Sequence, residues 1–86
     1  EEVEINQVFQ PFPNPAKNEI TLQFPEDLKV TPEKLEWVSL SGQVIAIQEI
    51  NESDAPYSVP SSSGIYLILI RDESQQILHR ERVVVE

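Results

Sequence analysis

Ser63-Gly64-Ile65-Tyr66-Leu67-Ile68-Leu69-Ile70 is the stretch that decides the fold. The apolar run Ile65 to Ile70 is closed on one side by a serine and glycine turn and on the other by Arg71 and Asp72. It reads as a central strand, buried on one face and partly covered on the other. Working back along the chain, Pro60 stops a short strand at Tyr57 and Val59. Working forward, Asp72-Glu73-Ser74 turns the chain into a last strand, Gln76 to Val85.

Further out the same grammar repeats. Leu35 to Leu40 and Gln43 to Glu49 form a hairpin, because Ser41-Gly42 supplies a residue that tolerates positive φ in a two-residue turn. Glu19 to Phe24 alternates cleanly, with Ile20, Leu22 and Phe24 on one side and Thr21 and Gln23 on the other. A first strand is expected over Val3 to Phe9, ending where Pro11, Pro13 and Pro15 withdraw ladder donors. Between Pro25 and Glu33 lies a connection long enough to cross between sheets, with a short helical turn expected after Thr31 because proline suits a helix start.

Two aromatics refine the architecture. A tyrosine near the start of the sixth strand of an immunoglobulin-like sandwich returns its hydroxyl to an upstream backbone group, and Gly64-Ile65-Tyr66 fits that corner. Ile68 stands where an antibody domain would place its second cysteine, so plain packing replaces the inter-sheet disulfide. Trp37, on the third strand, is expected to fill the centre. The chain thus reads as all-β: an Ig-like, seven-stranded antiparallel β-sandwich with Greek-key connections.

Composition narrows the function by exclusion. The 86 residues leave room for one domain, and the absence of methionine implies a piece of a longer protein. A formal net charge of −9, scattered over turns, works against nucleic acid and anionic lipid. No apolar run approaches the ~20 residues that span a bilayer, so no direct membrane insertion is expected. Cysteine is absent, and with it thiolate catalysis and Cys-type zinc sites.

The search for chemistry returns little. His79, the one histidine, is expected at the surface between charged neighbours, and the sequence contains no nucleophile-elbow motif. A zinc site needs more ligands than one imidazole. Glu26-Asp27, Asn51-Glu52-Ser53-Asp54 and Asp72-Glu73 bring oxygen ligands to loops without an EF-hand spacing, and they read as solvated turn charges rather than a calcium site. No catalytic residue, metal or cofactor is expected, and the chain does not read as an enzyme.

The turn motifs themselves are more specific. Val8 to Leu22, with Pro13-Asn14-Pro15-Ala16-Lys17-Asn18-Glu19-Ile20, resembles the opening of the type A C-terminal sorting domains carried by cargo of the type IX (Por) secretion system of Bacteroidetes. Leu40-Ser41-Gly42-Gln43-Val44-Ile45 is similar to that family's hairpin, Ser63-Gly64-Ile65-Tyr66 to its Ser-Gly-x-Tyr strand, and Arg82-Val83-Val84-Val85 to its basic-then-apolar ending. Two departures stand out: Ser61 replaces a common leucine three residues before Gly64, and the chain stops at Glu86 rather than at Lys or Arg.

The resemblance implies an address rather than a catalyst. Residues 1–7 would end a linker and begin the first strand, and 8–86 would be the sorting domain. Its partners would be an N-terminal cargo domain in the same precursor, the outer-membrane type IX translocon, and a sortase-like surface peptidase that removes the tag. The protein would pass through the periplasm to the cell surface or medium. The residues expected to form the sorting motif are Pro13, Asn14, Pro15, Gly42, Gly64, Tyr66, Arg80, Arg82, Val83, Val84 and Val85. If the last strand lies at a sheet border, its edge is expected to accept a partner strand. The alternative is an extracellular Ig- or fibronectin-like accessory module for carbohydrate binding or domain spacing, which the fold by itself does not distinguish.

Overall fold

A computed structural model describes residues 9–25, 30–51 and 55–86. Its elements are β1 (Gln10–Phe12), β2 (Glu19–Gln23), β3 (Pro32–Ser39), β4 (Val44–Glu49), β5 (Pro56–Ser58), β6 (Gly64–Asp72) and β7 (Ile77–Val85). They pair antiparallel into two sheets, one in the order β1-β2-β5 and one in the order β4-β3-β6-β7. The described residues contain no helix and are all-β.

The core is the sum of the inward parities. Ile20 and Leu22 of β2 and Tyr57 of β5 face Leu35 and Trp37 of β3, Tyr66, Ile68 and Ile70 of β6, and Val83 and Val85 of β7. Alternation explains the selection, since side chains two apart on a strand share a face. Trp37 is fully buried and meets Tyr66 edge to face at 6.1 Å, as expected of the residue filling the centre. Its indole Nε1 donates to Gln48 Oε1 (3.2 Å), and Gln48 Nε2 donates to the Ser58 carbonyl (3.0 Å). One glutamine thereby joins β4 of one sheet to β5 of the other.

The tyrosine corner is present. Tyr66 Oη donates to the Ser62 carbonyl at 2.6 Å, closing the turn that opens β6. Gly64 has φ of +153°, and a Cβ there would meet only the Tyr66 ring, at 3.8 Å. The cost of adding one is therefore conformational rather than steric. Gly64→Ala is expected to lower stability by about 1 kcal/mol or more. Urea denaturation checks this, and an unchanged midpoint would refute it.

Three local expectations change. The strand expected over Val3 to Phe9 lies outside the described residues up to position 8, and the pairing begins later, at Gln10–Phe12, with Pro11 opposite Leu22. β1 is a border strand, where a missing N–H faces no partner, so proline is tolerated. The helical turn after Thr31 is absent: β3 starts at Pro32 and pairs with both β4 and β6. In the β3–β4 hairpin three residues, Leu40 to Gly42, lie inside the bonded pair Ser39 and Gln43, rather than two. Gly42 N–H donates to the Ser39 carbonyl (2.9 Å) and Ser39 N–H to the Gln43 carbonyl (2.8 Å), with Gly42 at φ +94°. This is a tight turn followed by a left-handed glycine, the usual three-residue solution. A second irregularity follows at Ile45, where the register shifts between Trp37 and Val38.

Candidate functional site

The segment Pro13-Asn14-Pro15 leaves β1 and runs along the outer edge of β7. Asn14 lies exposed between Pro13 and Pro15, each of which follows a cis peptide bond. Its side-chain amide acts as a piece of neighbouring strand. Nδ2 donates to the Arg82 carbonyl and Oδ1 accepts the Val84 N–H, both at 3.1 Å. A primary amide carries a donor and an acceptor in one plane, which is what an antiparallel or parallel neighbour would offer.

The main chain then takes over. Ala16 N–H donates to the Val84 carbonyl (2.7 Å), and Glu86 N–H donates to the Ala16 carbonyl (2.8 Å), a short parallel bridge between Ala16 and Val85. Ala16 is fully buried, so a small side chain is needed where two backbones approach. The Arg82 carbonyl, both polar groups of Val84 and the Glu86 N–H are all satisfied in this way. β7 is a sheet border, but its C-terminal half is already occupied by the chain's own N-terminal motif.

Most of the residues singled out in the sequence converge here. Gly64 pairs with Val85 and Tyr66 with Val83 across the β6–β7 ladder, while Asn14 and Ala16 hold the other side of the same strand. The basic-then-apolar ending splits by parity. Val83 and Val85 point into the core, at 0% and 3% exposure; Arg82 is exposed and Val84 half-buried on the opposite face. Arg80 shares the outward parity and is exposed. Gly42 is not part of the group: it sits in the β3–β4 loop, and β4 is the border opposite β7.

His79 departs from its expected surface position. It is half-buried with inward parity, its ring 6.0 Å from that of Phe9, and its Nε2 lies 2.8 Å from Glu81 Oε1 in a hydrogen bond. The register of β7 causes this, because positions 79 and 81 share a face with Val83 and Val85. Ala16 and Gln48 were not singled out. The small residue after the second proline was the only local signal for Ala16, and Gln48 carried none.

Among the described residues no group of three or more His, Cys, Asp or Glu is placed to hold a metal ion. Asp72 Oδ1 instead accepts the N–H groups of Ser74 and Gln76, both at 2.9 Å, and so shapes the β6–β7 turn. Glu26, Asp27 and Glu52 to Asp54 lie outside the described residues.

The Asn14 contacts give a direct prediction. Asn14→Ala removes two hydrogen bonds that water partly replaces, so stability should fall by only about 1–2 kcal/mol. Hydrogen exchange at the Val84 amide should accelerate while that of β6 amides stays slow. Protection of Val84 unaltered by the substitution would show that the side chain does not hold this edge.

A profile of the family described as "secretion system C-terminal sorting domain" matches residues 10–86. No curated protein and no solved structure matches the chain. Sorting signals of this kind are not catalysts, and they travel on exported precursors handled by the type IX system. The matched span contains every turn motif described above together with the clasp of Asn14 on β7, and the chain belongs to the family of secretion system C-terminal sorting domains.

Proposed function

We propose that this domain is a type A export address of a Bacteroidetes cargo protein, read in its folded form by the outer-membrane translocon. The observation that carries the reading is the clasp. The two ends of the motif pattern, Pro13-Asn14-Pro15 and Arg82-Val83-Val84-Val85, meet only when the domain is folded. A recogniser of that joined edge responds to a completed fold rather than to a linear peptide. The strand order, β1-β2-β5 against β4-β3-β6-β7, supports the Ig-like Greek-key description of the scaffold.

In this reading residues 8–86 are the sorting domain and 1–7 end the linker from an N-terminal cargo domain. Cargo folds in the periplasm, crosses the outer membrane, and loses the tag to a sortase-like surface peptidase, which cuts near the domain's N-terminal edge. The cargo then stays on the cell surface or is released. Simple strand addition along Arg82 to Glu86 is disfavoured, since it would displace Asn14 and Ala16.

The experiment fuses residues 1–86 to a fluorescent protein bearing a periplasmic signal and expresses it in a Bacteroidetes host with and without the translocon. Surface fluorescence is expected only with the translocon. Retention in the periplasm of both strains would sink the proposal and favour an accessory module.

A further inference from the structure

The four-stranded sheet has an outer face that a solvated antiparallel sheet does not ordinarily show. Its cross-strand pairs form ordered rows. Val44, Val38, Leu67 and Arg82 make one row across β4, β3, β6 and β7; Ile47, Glu36, Leu69 and Arg80 make the next. A third runs Glu49, Lys34, Arg71 and Ile77. Ile47 is 57% exposed, Val44 49% and Ile65 43%, with Leu67 and Leu69 half-buried between them. This is an apolar stripe running from the β4 border to the β7 border.

Charge on this face differs from the rest of the molecule. Four of the six basic residues, Lys34, Arg71, Arg80 and Arg82, lie on it, in a chain of net charge −9. Of the acidic residues in these rows, Glu36 binds Arg71 (2.9 Å), and Glu49 is the cross-strand register partner of Lys34. Arg80 and Arg82 have no ion pair among the described residues and are exposed along the β7 border. The face is thus apolar with an uncompensated positive rim on an otherwise acidic body.

We infer that this face docks a protein surface of the export machinery, apolar at its centre and bearing carboxylates opposite Arg80 and Arg82; the inference rests on the export reading above. Charge decides the occupant. A second copy would bring another −9 and its own arginine pair, and an anionic lipid surface would repel the same body. A partner with a complementary acidic rim gains orientation from the two arginines and binding energy from covering the stripe.

The reporter fusion supplies the test, in a translocon-positive Bacteroidetes host, with Arg80→Glu/Arg82→Glu and, separately, Ile47→Asp. All three side chains are exposed, so the purified domains should melt as wild type does. Surface delivery is expected to fall by about tenfold or more in each. Benzoylphenylalanine in place of Ile47 should cross-link to a translocon subunit, whereas the same group at Gln23, exposed on β2, should not. If Ile47→Asp fails to fold, the arginine pair still decides. Delivery of the arginine variant within about twofold of wild type, or equal cross-linking from Gln23, overturns the inference while leaving the export reading intact. Failure of the wild-type fusion itself overturns both. Arginine-dependent binding of the purified domain to phosphatidylglycerol vesicles, or a dimer in sedimentation that Ile47→Asp dissolves, assigns the face to lipid or to a second copy and overturns it as well.

Discussion

Deleting Val83 to Glu86 is expected to remove most or all of the domain's stability. Val83 and Val85 are buried to 0% and 3% exposure, and each such side chain contributes about 1.5–3 kcal/mol by leaving water. The deletion also removes the Val84 and Glu86 groups that pair with Asn14 and Ala16, at about 0.5–1.5 kcal/mol net for each hydrogen bond. The total is on the order of 5 kcal/mol or more, against roughly 5–10 kcal/mol for the whole domain. Circular dichroism of the purified truncation should show no cooperative thermal transition, or one lowered by about 20 °C or more. A transition at the wild-type temperature would mean that the tail adds nothing to the core.

This changes what a loss of export on truncation would mean. Under the proposed export reading, a truncated domain would fail for want of a folded surface, whether or not any partner touches the tail. Substitution at Val84, which is half-buried with outward parity, separates the two effects because the inward valines remain. Export lost with the melting transition retained would assign contact to the strand itself.

Trp37→Ala should be the costliest single substitution, at about 3–5 kcal/mol. Trp37 is fully buried, lies between Ala46 and Ile68 in the sheet, and meets Tyr66 edge to face. Its loss opens a cavity at the centre and leaves Gln48 Oε1 without the indole donor, weakening the tie that Gln48 makes to Ser58. Trp37→Phe restores most of the volume but not the N–H, so its cost should be less than half as large. The measurement is urea denaturation followed by far-ultraviolet circular dichroism, since the only tryptophan is the residue replaced. Equal costs for alanine and phenylalanine would locate the energy in the hydrogen bond rather than in packing.

The strands that alternate in sequence were legible. In Glu19 to Phe24 the alternation itself puts Ile20 and Leu22 on the buried side, whereas the continuous apolar run Ile65 to Ile70 left open which face would carry Tyr66, Ile68 and Ile70. Proline misled at both ends of its range. Pro11, a terminator by local rule, lies within β1, and Pro32, a helix start by local rule, opens β3. In each case a tertiary partner, β2 for one and β4 and β6 for the other, outweighed the local preference.

The site was legible as a set of motifs and not as a joined surface. Asn14 reaches Arg82 and Val84 across 68 and 70 positions of sequence, through a side-chain amide, and no local rule spans that separation. His79 was misplaced for a different reason. Its charged neighbours suggested water, whereas the parity it shares with Val83 and Val85 was the better guide. The edge of β7 is filled over its C-terminal half, and border position alone does not reveal what already lies along a border.

Synthesis proceeds from the N-terminus, so Asn14 leaves the ribosome long before the carbonyl and amide that it grips. Until the codons for Arg82 through Glu86 have been translated, that amide has nothing to close upon. A chain that lacks those residues presents an open edge and two missing valines, so the seam closes only after both of its halves have been made.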